Sequence, residues 1–322
     1  FNGLGDLNLL NEYEKYLLHY GRDFRVWLDL KKVDRDTYEK WMKYSLDSGD
    51  SVFKYIGKKE IRLFMKDAYG CPYVPGSSLK GAIRTILLSD NILEYNRRYS
   101  GNKKDIKNTR YKGRRYLERE ANNIENKAFN TLKRNEEKKY DAVNDTLSGL
   151  RISDSKPLSI DDLVLCQKID VSVDGNENKL NVLRECLKPN TNIEFELSID
   201  TQLCKYTVDE ILEAINNFYK CYLDVFLKKF KKPSSNKKNS FYLGGGSGYV
   251  SKTVSYPLYG DDEGVKIVSN IFQNTLNNRA KRDHKHEKDV ALGVSPHMLK
   301  CTRYNNNLYE MGLCNIDFVK MN

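Results

Sequence analysis

The chain of 322 residues carries 54 Lys and Arg against 44 Asp and Glu, a net charge of +10 that favours a polyanionic partner over an acidic small molecule. Its seven cysteines (Cys71, Cys166, Cys186, Cys204, Cys221, Cys301 and Cys314) form no CxxC pair, which excludes a zinc ribbon and fits reduced thiols. No apolar run approaches a membrane span and no signal peptide is visible, so a cytoplasmic protein without a membrane partner is expected.

Leu7, Leu9, Leu10, Tyr13, Tyr16, Leu17 and Leu18, then Val26, Trp27 and Leu30, recur at helical spacing and predict helices between residues 7 and 46. Ile61, Leu63 and Met65 alternate with Arg62, Phe64 and Lys66, the pattern of a half-buried strand. After the break at Tyr69-Gly70-Cys71-Pro72, Ser77 and Ser78 are positioned to cap a helix whose core stripe is Leu79, Ala82, Ile83, Ile86 and Leu87. Residues 94–149 change character, with nine basic residues and one acid between Arg97 and Arg115. They read as a protruding basic helical insertion, partly disordered without its partner. Strands are expected at 150–153, 163–170 and 192–199, the last with Ile193, Phe195, Leu197 and Ile199 on one face. A helical segment occupies 205–232; its aromatics Phe218, Tyr219, Tyr222 and Phe226 belong to a core more readily than to a base-stacking platform. A basic Ser/Asn-rich linker over 228–240 leads into a glycine turn, a helix near 264–277 and a closing hairpin from Met298 to Val319.

Three constellations could carry chemistry. In Pro75–Thr85, a helix N-terminus offers free N–H groups to a phosphate, with Ser77 and Ser78 in its first turn. Lys80 and Arg84, four residues apart, share the face opposite the apolar stripe; an ordinary capped helix with two solvated cations has the same pattern. In the second, Gly244, Gly245, Gly246, Ser247 and Gly248 can expose consecutive N–H groups as an anion nest, with Lys252 close behind. Gly246–Thr253 nearly matches a phosphate-binding P-loop, but Ser251 stands where glycine is required, so nucleotide hydrolysis is not expected. The third is His284 and His286, an alternation able to serve a metal or acid–base chemistry. Arg279, Lys281, Arg282, Lys285 and Lys288 around it would repel a divalent ion, so a mobile basic loop touching RNA is the expectation. Asp154, Asp161 and Asp162 lack a nearby histidine or glutamate to complete a metal site. No catalytic residue, metal or cofactor is expected.

The string Tyr73–Thr85 resembles the signature segment of the RAMP proteins of type III CRISPR systems. Arg151–Pro157, Gln167–Asp170, Leu183–Cys186, Gly244–Thr253 and Tyr309–Cys314 are similar to one branch, the fifth Csm subunit of type III-A complexes, found at the guide's 3′ end. The resemblance implies an α+β fold: a ferredoxin-like (RRM-like) RAMP core with large helical insertions, its glycine-rich loop against the β-sheet. It makes 1–322 a single RAMP domain whose natural N-terminal strand precedes Phe1. It also implies a non-catalytic subunit that binds CRISPR RNA, with target RNA a further candidate, beside other Csm subunits, with a role in assembly and in maturing the guide's 3′ end. The RNA contacts would come from Ser77, Ser78, Lys80, Arg84, Gly244–Gly248 and Lys252 along one path, with no small-molecule substrate. An endoribonuclease using His284 or His286 and a plain assembly subunit are the rival readings.

Overall fold

In the computed structural model, which describes residues 7–19, 24–50, 60–231 and 238–320, the chain forms two compact units. The first, Phe1–Asp47, holds α1 (Leu7–His19), α2 (Phe24–Leu30) and α3 (Arg35–Glu39). Trp27 is buried with its ring edge-on to Tyr13. The expected apolar face is incomplete, because Leu18, Val26 and Leu30 are exposed.

The second unit, Ser48–Asn322, is built on a five-stranded sheet. Its strands run in the order β1 (Glu60–Arg62), β4 (Glu177–Leu187), β3 (Leu163–Ser172), β7 (Met298–Tyr304), β8 (Asn307–Glu310). All neighbours are antiparallel except β1, which lies parallel to β4. Two small ladders complete the strands, β2 (Leu150–Ile152) with β5 (Leu197–Ile199) and β6 (Ser240–Tyr242) with β9 (Leu313–Asn315). The expected strand of Ile61, Leu63 and Met65 shrinks to β1, and all three side chains are exposed. After Arg62 the chain leaves the ladder: the Phe64 N–H donates to the Glu185 carboxylate at 2.8 Å, and Lys66 forms an ion pair with the same group.

Eight further helices cover the sheet and extend from it: α4 (Gly76–Glu94), α5 (Ser100–Asn108), α6 (Glu118–Phe129), α7 (Val208–Val225), α8 (Ser255–Tyr259), α9 (Asp261–Thr275), α10 (Asn278–His284) and α11 (Asp289–Leu292). Thr207 and Glu210 close a capping box at the start of α7, each side chain bonding the other's backbone N–H. Helix α7 serves two cores. Ile211, Ala214, Ile215 and Phe218 pack with Leu79, Ile83 and Leu87 of α4, while Tyr219, Tyr222 and Phe226 meet Ile169, Val171, Leu299 and Cys301 of the sheet. The aromatics of the segment 205–232 are therefore core.

Residues 94–149 do not protrude as a separate basic arm. Six of their apolar side chains, Tyr99, Ile106, Ile124, Ala128, Phe129 and Leu147, are buried in the first core and anchor α5 and α6, while Tyr111, Tyr140 and Val143 stay exposed. At the other end, the hairpin is β7–β8, turning at Asn305 and Asn306 with φ of 50° and 63°. The last strand, β9, pairs instead with β6, which binds the chain's end to the glycine turn. The linker expected over 228–240 lies partly outside the described residues, at 232–237. Among the described residues no helix is long and apolar enough to cross a membrane.

Candidate nucleic-acid interface

The glycine turn continues directly from β6 and is clasped by the chain's final motif. The Leu243 N–H donates to the Gly312 carbonyl at 2.8 Å, and Tyr242 donates its hydroxyl to Glu310. Gly312 has φ of 81°, and a Cβ there would stand 2.3 Å from the Leu243 carbonyl oxygen, so no larger residue fits. Gly246 rests on Met311, whose Cε would lie 2.9 Å from an added Cβ. Positive φ falls at Gly244 (92°) and Gly248 (93°), and not at Gly245. The limit at Gly245 is space: a Cβ would sit 3.1 Å from Nη1 of Arg184. Ser247 is buried and donates its hydroxyl to the Gly244 carbonyl (3.1 Å), and Ser251 in turn donates to the Ser247 carbonyl (3.0 Å). Ser247 thus closes the turn with its side chain instead of offering it to a ligand, and Ser251 staples the 3₁₀ turn that presents Lys252.

Gly245 meets Arg184 of β4 and Gly248 meets Lys300 of β7. Because β3 runs between those strands, the turn crosses the line of β3 between Cys166 and Asp170, where Lys168 stands. Four cations gather here, Lys168, Arg184, Lys252 and Lys300, and among the described residues only Lys300 has a carboxylate partner in hydrogen-bond range, Asp170 at 2.8 Å. Arg62 lies opposite Arg184 in the parallel register and adds to the field. Burial, then the neighbouring Lys300, pushes the Lys168 ammonium below its ordinary pKa; burial, then Arg184, does the same to Lys252. Nε of Arg184 is buried with no hydrogen-bond acceptor among the described residues. Positive charge and donor capacity left uncompensated in this way match a polyphosphate backbone. Sequence reading passed over Lys168, Arg184 and Lys300; the signal was present, since Lys168 and Arg184 fall inside the motifs Gln167–Asp170 and Leu183–Cys186.

The Pro75–Thr85 motif assembles elsewhere, against Arg151–Pro157. Gly76 packs so closely on this segment that a Cβ would meet the Ser153 carbonyl oxygen at 2.1 Å. The Gly76 N–H donates to Asp154 (2.8 Å) and the Val74 N–H to the Ser155 hydroxyl (2.9 Å). Pro75, not Ser77 or Ser78, is the N-cap, and both serines are exposed in the first turn. Asp154 therefore already supplies an anion at this helix N-terminus. Lys80 donates to the Leu150 carbonyl at 2.6 Å. Arg84 is held by Glu125 (2.9 Å) and Asp145 (2.6 Å), with its guanidinium over the Phe129 ring. These bonds tie α4 to β2 and α6, and two carboxylates more than neutralise Arg84, the wrong charge for a phosphate contact.

The histidines do not form a mobile loop. His286 is buried, stacked on Phe272, with Nδ1 2.9 Å from Asp289. A cavity of about 1160 Å³ between α4, α7 and α8 is no better placed for RNA. Asp90, Glu94, Glu210, Glu213 and Asp224 outnumber Lys103, Lys205 and Lys220 in its lining.

The comparisons with known proteins agree with the motifs. Residues 55–251, more than half the chain, match the RAMP superfamily. A protein of Mycobacterium tuberculosis named CRISPR system Cms protein Csm5 is 32% identical over 283 residues, covering 83% of this chain and 69% of its own. The chain belongs to the RAMP superfamily, in its Csm5 family. The Csm5 of Streptococcus thermophilus is 36% identical over 203 residues, covering 61% of this chain and 50% of its own. Among solved structures, the crystal structure of T.onnurineus Csm5 superposes with a TM-score of 0.55 at 20% identity, over 79% of this chain and 81% of that one. A chain of a Csm–crRNA–target RNA ternary complex from a type III-A CRISPR–Cas system superposes at 0.51 with 17% identity, over 95% and 89%. These two likenesses carry the mixed α/β Csm5 fold.

Proposed function

We propose that the chain is a guide-RNA (crRNA)-binding subunit of a type III-A CRISPR effector complex, built without a catalytic centre. In that role it packs beside other Csm subunits, meets crRNA and target RNA, and contributes to assembly and to maturation of the crRNA 3′ end. The observation that carries the reading is the convergence of four separated motifs on one basic surface. The glycine turn, buttressed by Met311 and Gly312, spans Arg184 and Lys300 across the position of Lys168, with Lys252 at its exit. Cations around a close-approach turn grip a backbone without reading bases, as a subunit that serves many guides requires. The RRM-like reading of the core rests on the β3–β4 hairpin, flanked by β1 and β7 and packed on one side by α7. A non-catalytic role is supported by His286, buried and engaged with Asp289 where an acid–base catalyst would need access to substrate.

The RNA path runs over Lys168, Arg184, Lys252, Lys300 and the Gly244–Gly248 turn. Ser77, Ser78 and Lys80 form a second, weaker contact on the exposed first turns of α4, and Arg84 is structural. Salt titration of binding to a fluorescent single-stranded RNA tests this. Log affinity should fall against log salt by roughly 0.7 per phosphate neutralised, giving a slope of about 3 for the four cations, and scrambling the sequence should change little. A flat salt response, or a strong preference for one sequence, would contradict the phosphate grip.

A further inference from the structure

The sequence pairs His284 with His286 as a candidate metal couple and then discounts it for the surrounding basic residues. The folded chain makes a different group. Asp289, 0% exposed, has His286 Nδ1 at 2.9 Å from one carboxylate oxygen and His297 Nδ1 at 2.5 Å from the other. One donor atom from each of the three residues lies within 4.8 Å of the other two. The Ser295 hydroxyl stands 2.5 Å from Asp289. Three of the four histidines in the chain lie together here, since His284 stacks on His286 at 5.8 Å. The basic residues that argued against a metal turn away: Arg282, Lys285 and Lys288 are exposed, whereas the three donors are buried or nearly so.

A carboxylate excluded from water needs a compensating cation. Among the described residues the ion-pair partners of Asp289 are the two histidines alone, so with neutral imidazoles the group carries a net negative charge. Two imidazoles and one carboxylate on short elements are a donor set that suits zinc and its neighbours in the first transition row. A tetrahedral ion with bonds of about 2.0–2.2 Å holds its donors roughly 3.3–3.6 Å apart, so each histidine would move away from the carboxylate by between about 0.4 and 1.1 Å from its present 2.9 and 2.5 Å.

We propose that His286, Asp289 and His297 bind one divalent transition-metal ion of the zinc type, with Ser295 or water as the fourth donor. The ion pins α11 and the start of β7, which carries Lys300, to the end of α10. Its role is structural, holding one wall of the basic surface in place.

The test uses the full chain without a histidine tag, stripped with a chelator and titrated with Co²⁺. One equivalent should give the visible absorption of tetrahedral cobalt, bleached by one equivalent of Zn²⁺, and Zn²⁺ should raise the melting temperature of the wild type. His284→Ala should behave as wild type. His297→Ala and Asp289→Asn should lose both the absorption and the zinc-dependent melting shift. If His297→Ala does not fold, His297→Gln, which keeps a polar group without a strong ligand, takes its place. Absence of cobalt absorption and of a melting shift in the wild type overturns the proposal. So does binding that survives His297→Ala and Asp289→Asn, or binding lost only in His284→Ala.

Discussion

Arg84 shows how a side chain can look like a ligand contact in sequence and be a tie rod in the fold. It satisfies Glu125 and Asp145 at once, and Asp145 also accepts from the Leu147 N–H. Arg84→Ala would leave two carboxylates unpaired and partly buried, so stability should drop by roughly 1–3 kcal/mol with RNA affinity unchanged within about twofold. Chemical denaturation beside fluorescence anisotropy separates the two effects. The glycines make the converse prediction. Gly245→Val should displace Arg184 and weaken RNA binding about tenfold while the fold survives, whereas Gly312→Ala, strained at φ 81° and facing a carbonyl oxygen, should lower stability itself. Thermal unfolding of both variants checks the contrast. The lysines predict a pH effect. Lys168 and Lys252 have pKa values lowered from 10.5 in the free protein, and phosphates favour their charged forms, so RNA binding takes up protons. Affinity should therefore fall as pH rises through those lowered values, sooner than for lysines at 10.5. The same shifts work the other way on folding. Their cost is present below the folded pKa values and is relieved as pH climbs toward the unfolded one, so RNA-free stability should rise over that window. Anisotropy and unfolding measured across the alkaline range should move in opposite directions.

At the scale of elements, α7 is the piece on which both cores depend, and its capping box is its most local support. Thr207→Ala should cost about 1 kcal/mol, read by urea denaturation, because it strips one of two reciprocal bonds at the helix start. That capping box was not read in the sequence, whereas the apolar face of this helix was legible, because α7 buries a wide stripe and periodicity reports burial. So were α4, the glycine turn and β3. Strand β4 was not, although it carries Arg184. Its exposed residues (Asn178, Lys179, Asn181) are polar, so only Leu183 and Glu185 are buried and no alternation shows. Residues 94–149 misled for a related reason. The charges dominate the composition, but six apolar side chains suffice to lock α5 and α6 into the first core. The motifs stated which segments matter without stating which meet. That pairing is set by sheet order, and no local pattern encodes that β4 and β7 flank β3.

For the whole molecule, the motifs sort into two assemblies. Tyr73–Thr85 with Arg151–Pro157 joins α4 to β2 and the first core. Gln167–Asp170, Leu183–Cys186, Gly244–Thr253 and Tyr309–Cys314 meet at the sheet and concentrate unpaired positive charge there. A net charge of +10 spread evenly would bind RNA weakly everywhere, whereas charge held against a rigid turn binds at one place. The most direct measurement is anisotropy with labelled crRNA on two double variants of equal charge loss, Lys168→Ala/Arg184→Ala and Lys80→Ala/Arg84→Ala, each checked for folding by circular dichroism. The account predicts a loss of affinity of roughly 10- to 100-fold for the first pair and less than about threefold for the second, with the salt slope reduced only in the first. Equal losses in both pairs, or a larger loss in the Lys80/Arg84 pair, would contradict it.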